Sequence, residues 1–134
     1  MLPVIAARAA AVVMEGVAAF QLALVVGAPW GVYTQGGGTA GALDASGRVF
    51  AGVSCVILLV MAAAILARVR EGPLKNTPGK LVTALAWFTA IYAAVAVVLN
   101  LSTSSSSERA VFAPTAILLL VLVLTAMVGS RHAH

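Results

Sequence analysis

Four stretches of the chain are almost wholly apolar, residues 4–28, 49–69, 81–101 and 110–129, and each is bounded by Gly, Pro, Ser or charge. About 20 mostly apolar residues in a helix cross a hydrocarbon core of about 30 Å. Backbone groups in lipid must pair internally, so each stretch predicts an α-helix. Strand alternation is absent, which argues against a barrel. The pattern therefore predicts an all-α four-transmembrane-helix bundle. It forms one integral membrane domain over residues 1–134, a multi-pass protein of the cell membrane with the lipid bilayer as its first partner.

Composition agrees with the pattern. The 134 residues are 62% hydrophobic and 9% charged, and the mean hydropathy is +1.08. A soluble domain carries about 25% charged residues, so this chain has too little charge to wet its surface. The net charge of +4 rests on eight basic residues against four acidic ones, spread along the chain. Nucleic-acid binding would need a clustered basic footprint, and none is expected. The single cysteine, Cys55, lies in an apolar run and reads as a small buried hydrophobe. The two histidines, His132 and His134, stand at the C-terminal end. No His, Cys or carboxylate cluster has ligand spacing, so neither a metal nor a cofactor is expected. The first apolar stretch lacks a basic start and is interrupted by Glu15, unlike a secretory leader. It reads as a retained helix.

Orientation follows the Lys/Arg bias. The connection between spans 2 and 3, with its flanks, reads ARVREGPLKNTPGK and holds Arg68, Arg70, Lys75 and Lys80. The other two connections hold one basic residue each, Arg48 and Arg109. With Arg8 and Arg131, six basic residues fall on the side of the basic connection and two on the other. The basic connection and both termini are therefore expected in the cytoplasm, and residues 29–48 and 100–109 outside.

The connection NLSTSSSSER, residues 100–109, concentrates hydroxyls between two apolar spans. Ser105-Ser106-Ser107-Glu108 fits a capping box, in which Ser105 accepts from the Glu108 amide and Glu108 reaches back to the Ser105 amide. Glu108 also suits the positive end of a helix. Capping leaves Asn100, Ser102, Thr103 and Ser104 unexplained. The other outer connection begins GAPWGVYTQGGG, where Trp30 and Tyr33 suit the membrane interface. Two readings stay open for this end: interfacial turns rich in hydrogen bonders, or one polar extracytoplasmic pocket. The pocket would be lined by Trp30, Tyr33, Gln35, Asn100, Ser102, Ser104, Glu108 and Arg109, with Asn100, Ser102 and Arg109 bonded to the first loop.

The pairing of GAPWG and a glycine run with a later N-x-S-x-S-x-x-x-E-R resembles small four-span membrane proteins of actinobacteria and other Gram-positive bacteria. Val32 stands where such proteins often carry an acidic residue after GAPWG. The resemblance implies the four-span architecture and carries over no catalytic residue.

Inside the spans the polar groups are few. Glu15 falls near the bilayer midplane, where a charge costs about 2.5–3.5 kcal/mol on insertion scales. It is expected to face the bundle interior, paired or protonated. Arg8, two turns earlier, is expected to reach toward Glu15 or to snorkel to the interface. Gln21, Thr89 and Tyr92 are further intramembrane polar groups, and Thr89 and Tyr92 are the candidate partners of Glu15. Either a static hydrogen-bond network or proton coupling fits this set.

Three functions remain open. The first is an accessory or binding subunit, alone as a homo-oligomer or within a larger membrane complex, because AARAAAVV and MAAAILA favour close helix contacts. The second is a proton- or cation-coupled transporter or channel using Glu15, weakened by the absence of repeats and broken helices. The third is a membrane enzyme on a lipid-like substrate, weakened by the absence of a nucleophile–base arrangement. On balance no catalytic residue is assigned.

Overall fold

A computed structural model describes residues 1–130; Arg131, His132 and His134 lie outside the described residues. Among the described residues the chain is all-helical. It contains α1 (Leu2–Val25), α2 (Ala45–Ala67), α3 (Gly79–Ser102) and α4 (Ser106–Ser130). All four are long and apolar enough to cross a membrane. The protein is a multi-pass membrane protein built as a four-helix bundle.

The helices start earlier or run differently at their ends than apolarity alone indicates, because capping sets the ends. The Asp44 carboxylate accepts from the Gly47 amide at 2.8 Å, so α2 begins at Ala45 and takes in the polar ASGR turn. Ser105 does the same for α4, whose Glu108 amide donates to the Ser105 hydroxyl oxygen at 3.1 Å. Pro78 precedes α3, where its lack of an amide hydrogen and its fixed φ do no harm. Pro114 stands inside α4, whose ladder there loses one donor.

α1 packs between α2 and α4, and α3 packs against α4 and more loosely against α2. α1 and α3 therefore occupy opposite corners. The interior is largely alanine: Ala6, Ala7, Ala10, Ala11 and Ala18 of α1, Ala62 of α2, Ala86, Ala90 and Ala93 of α3, and Ala126 of α4 share one buried cluster, with Met14, Met61, Ile65 and Val123 filling the space among them. Larger apolar residues such as Val12, Leu22, Val53, Phe88, Ile91 and Val121 face outward. This is the arrangement lipid allows. Acyl chains are as apolar as leucine, so close backbone approach rather than burial of bulk drives association. Where α3 diverges from α2, an apolar groove of ≈ 140 Å³ opens among Val56, Val60, Met61, Ala64, Leu85 and Phe88.

The two ends of the bundle differ. One carries the α2–α3 connection with its lysines and arginines, together with the start of α1 and the end of α4. Here Arg8 forks onto Glu71, with Nε to Oε1 at 3.0 Å and Nη2 to Oε2 at 2.7 Å. The other end carries loop 1, residues 26–44, and the α3–α4 turn. A small second core of Leu24, Leu43 and Ala51, backed by Phe20 and Val25, pins loop 1 to the tops of α1 and α2.

Candidate functional site

Loop 1 folds over its end of the bundle through two short 3-10 turns, Gly31–Tyr33 and Gln35–Gly37. Its backbone closes on itself where the Gly31 amide donates to the Gly41 carbonyl at 2.8 Å. A Cβ at Gly31 would collide with the Thr39 carbonyl oxygen. Trp30 stacks on Phe20 with ring centroids 5.8 Å apart, and Phe20 in turn meets Phe112 of α4 at 5.0 Å.

The first turn of α4 holds this loop in place. The Ser105 hydroxyl donates to the Val32 carbonyl at 2.7 Å. The Gly36 amide donates to Glu108 Oε2 at 3.1 Å. Glu108 is buried at 8% exposure, and it lies at the positive end of α4, which favours its charge. Gly37 has a φ of 72°, and a Cβ there would sit 2.5 Å from Ser105 Cβ. Any other residue would have to enter the left-handed region and push Ser105 away. Gln35 holds a positive φ of 51° without being glycine, and its side-chain amide donates to the Gly47 carbonyl at 2.9 Å.

The hydroxyl-rich connection and loop 1 are thus joined, but through Ser105 and Glu108. Asn100 donates instead to the Ala96 carbonyl of its own helix at 2.7 Å. Arg109 donates to the Thr103 carbonyl at 2.8 Å. Ser102 and Ser104 are exposed. The expectation that Asn100, Ser102 and Arg109 bond loop 1 is corrected. Asn100 is within reach of the carbonyl one turn earlier, and Arg109 of the end of the turn it follows, so both find acceptors locally. The capping box is half formed: the Ser105 amide donates to Thr103 Oγ1 at 3.2 Å, and the Glu108 carboxylate goes to loop 1. Tyr33 is half-buried in the first 3-10 turn. The arrangement is a clamped cover, with backbone and carboxylate satisfying one another.

The intramembrane set is also rearranged. Glu15 is exposed on the outside of α1 and has no hydrogen-bond or ion-pair partner among the described residues. The expectation that it faces the interior is corrected. The alanine stripe Ala7-Ala10-Ala11-Met14-Ala18 takes the inward face of α1. Arg8 and Glu15, two turns apart, share the opposite one. Arg8 pairs with Glu71 of the basic connection rather than with Glu15. Thr89 is fully buried, and its hydroxyl donates to the Leu85 carbonyl at 2.8 Å. Tyr92 is half-buried beside Phe88 and lies on α3, diagonally across the bundle from α1. Gln21 is half-buried, and its Oε1 is sealed from solvent without a donor.

Arg68 escaped the sequence reading, which took it only as one of the basic residues that set orientation. It is buried at 4% exposure, and its guanidinium donates to Thr83 Oγ1 at 3.1 Å and to the Met127 carbonyl at 2.9 Å. It thereby ties the ends of α2 and α4 to the start of α3. A helix C-terminus offers unpaired carbonyls to a cation, and this is the signal that would have found it. Glu71 is held below the usual carboxylate range by its hydrogen bonds from Arg8. Among the described residues no three His, Cys, Asp or Glu side chains converge.

No protein-family model, no curated protein and no solved structure matches the chain.

Proposed function

We propose that the protein is a small accessory or binding subunit of the cell membrane that docks laterally on another membrane helix through the outer face of α1. Its basic end lies in the cytoplasm and its clamped loop 1 outside. Kinship with the small four-span bacterial proteins that share the GAPWG and N-x-S-x-S-x-x-x-E-R motifs belongs to the same reading. One observation carries it. Glu15 lies 13 residues beyond the start of the 24-residue α1, close to its middle, exposed and without a partner among the described residues. In a bare lipid environment a carboxyl there costs a few kcal/mol even when it avoids ionising. A neighbouring helix that supplies a hydrogen-bonding group removes that cost.

A transporter reading within one chain needs Glu15 between its own helices, and its outward position withdraws that support. An enzyme reading at the outer end has Ser104 exposed and Glu108 already engaged by Gly36.

The test is oxygen accessibility of a spin label in native membrane patches, in a Cys55→Ala background. A label at Val12→Cys, on the Glu15 face, is compared with one at Val121→Cys, at similar depth on the outside of α4. The reading expects the Val12 label to collide with oxygen much less often than the Val121 label, and equal collision rates would refute it.

A further inference from the structure

The face that covers Glu15 can be identified further, resting on the lateral-docking reading above. We infer that it is α3 of a second copy of this chain, with Glu15 of one copy hydrogen-bonded to the Tyr92 hydroxyl of the next.

Four observations converge. First, α1 and α3 run in the same direction, both starting from the basic end, so copies inserted alike present them parallel. Second, the depths match. Glu15 lies 13 residues beyond Leu2 and Tyr92 lies 13 residues beyond Gly79, each about 20 Å along its helix at 1.5 Å per residue. Third, both groups lack partners among the described residues. Tyr92 makes no hydrogen bond among the described residues, and its oxygen is not among the atoms sealed in the core. Fourth, the surfaces differ in size at that depth. On α1 the exposed residues beside Glu15 are Val12 one turn before it and Gly16 and Ala19 after it, so the surface is low on the Ala19 side, and a Cβ at Gly16 would meet nothing within 4 Å. On α3 the corresponding surface is bulky, with Phe88 and Ile91 exposed next to Tyr92. A hollow on one helix faces a ridge on the other.

Two α1 helices face to face would set hollow against hollow and carboxyl against carboxyl. They would also leave Tyr92 unpaired. The α1–α3 contact satisfies both polar groups at once, because a phenol donates and a carboxyl or carboxylate accepts. α1 and α3 occupy different corners of the bundle, so the contact is heterologous. It repeats from copy to copy and closes as a ring or extends as a row in the membrane plane.

The test is disulfide cross-linking of full-length chains in membranes, in the Cys55→Ala background. One tagged chain carries Ala19→Cys and a second, differently tagged, carries Val95→Cys, two exposed positions at similar depth. The inference expects a cross-linked pair only when both chains are present. Cross-linking of Ala19→Cys chains with each other would overturn it in favour of a two-fold α1 contact. Absence of any cross-link, with single-molecule counting showing monomers, would overturn it outright. In that case continued shielding of the Val12→Cys label would leave the docking reading standing with a different partner. A free Val12 label would remove both.

A second measurement tests the pair itself. Tyr92→Phe and Glu15→Leu should each weaken self-association about threefold, the size of an average interhelical hydrogen bond in a bilayer. The double variant should be no weaker than either single one. Independent, multiplying losses would refute the pairing, and an unchanged thermal midpoint of the Tyr92→Phe chain in dilute detergent shows that its fold is intact.

Discussion

Replacing Glu108 by alanine should open loop 1 while leaving the bundle intact. The carboxylate is 8% exposed and takes the Gly36 amide at 3.1 Å. A hydrogen bond to a charged acceptor contributes about 1.5–3 kcal/mol net. An acidic side chain in the first turn of a helix adds about 0.3–1 kcal/mol. Losing both destabilises the closed loop by about 2–4 kcal/mol. If loop 1 opens as a local unit, that is an increase in exchange of about 30- to 700-fold for its protected amides, at tenfold per 1.4 kcal/mol. Hydrogen-exchange mass spectrometry on peptides spanning residues 31–44 measures it, with peptides from α3 as an internal reference. Glu108→Gln keeps an acceptor oxygen and should fall between the two. Asn100→Ala removes only a bond within α3 and should leave loop 1 unchanged. Unchanged exchange in Glu108→Ala, or loop opening in Asn100→Ala, would show that the clamp is not where the geometry puts it.

Other outcomes follow from the opposite end. Arg68→Ala deletes at least the hydrogen bonds to Thr83 and Met127 from a buried guanidinium, each worth about 1.5–3 kcal/mol. Its unfolding midpoint in detergent should therefore drop sharply, with Arg68→Lys intermediate, and a midpoint equal to the unsubstituted chain would contradict the tie. Glu71 titrates below its ordinary 4.5 because Arg8 hydrogen-bonds its carboxylate. A depressed carboxylate contributes stability above its unfolded value and loses it as pH falls through the folded one. The stability gap between the unsubstituted chain and Glu71→Gln should accordingly be present near neutral pH and disappear in that acid range; a gap that persists at lower pH argues against the pair. For topology, Thr77→Cys should label only from the cytoplasm and Thr39→Cys only from outside in the Cys55→Ala background. The reverse result would overturn the orientation.

The number of spans and their approximate limits were legible in the sequence because length and apolarity alone decide what crosses a bilayer. The Ser105 cap was legible too, since it depends on residues three apart. What the sequence by itself did not determine was which side of each helix is inside. In water a polar face marks the exterior, but these helices are apolar on both faces. Here side-chain size weighed in the choice: most interior positions are alanine, and most large apolar side chains, though not Leu58, Ile65, Val82 or Val123, are left to lipid. That choice turned Glu15 outward and gave Arg8 to Glu71. Thr89 was left with only its own backbone. The same holds for the polar end. Sequence brought loop 1 and the α3–α4 turn to one side, yet only the tertiary structure decided that Glu108 rather than Asn100 meets the loop. Asn100 already has an acceptor one turn away, whereas the Glu108 carboxylate at the start of α4 finds the Gly36 amide only when loop 1 folds across the bundle.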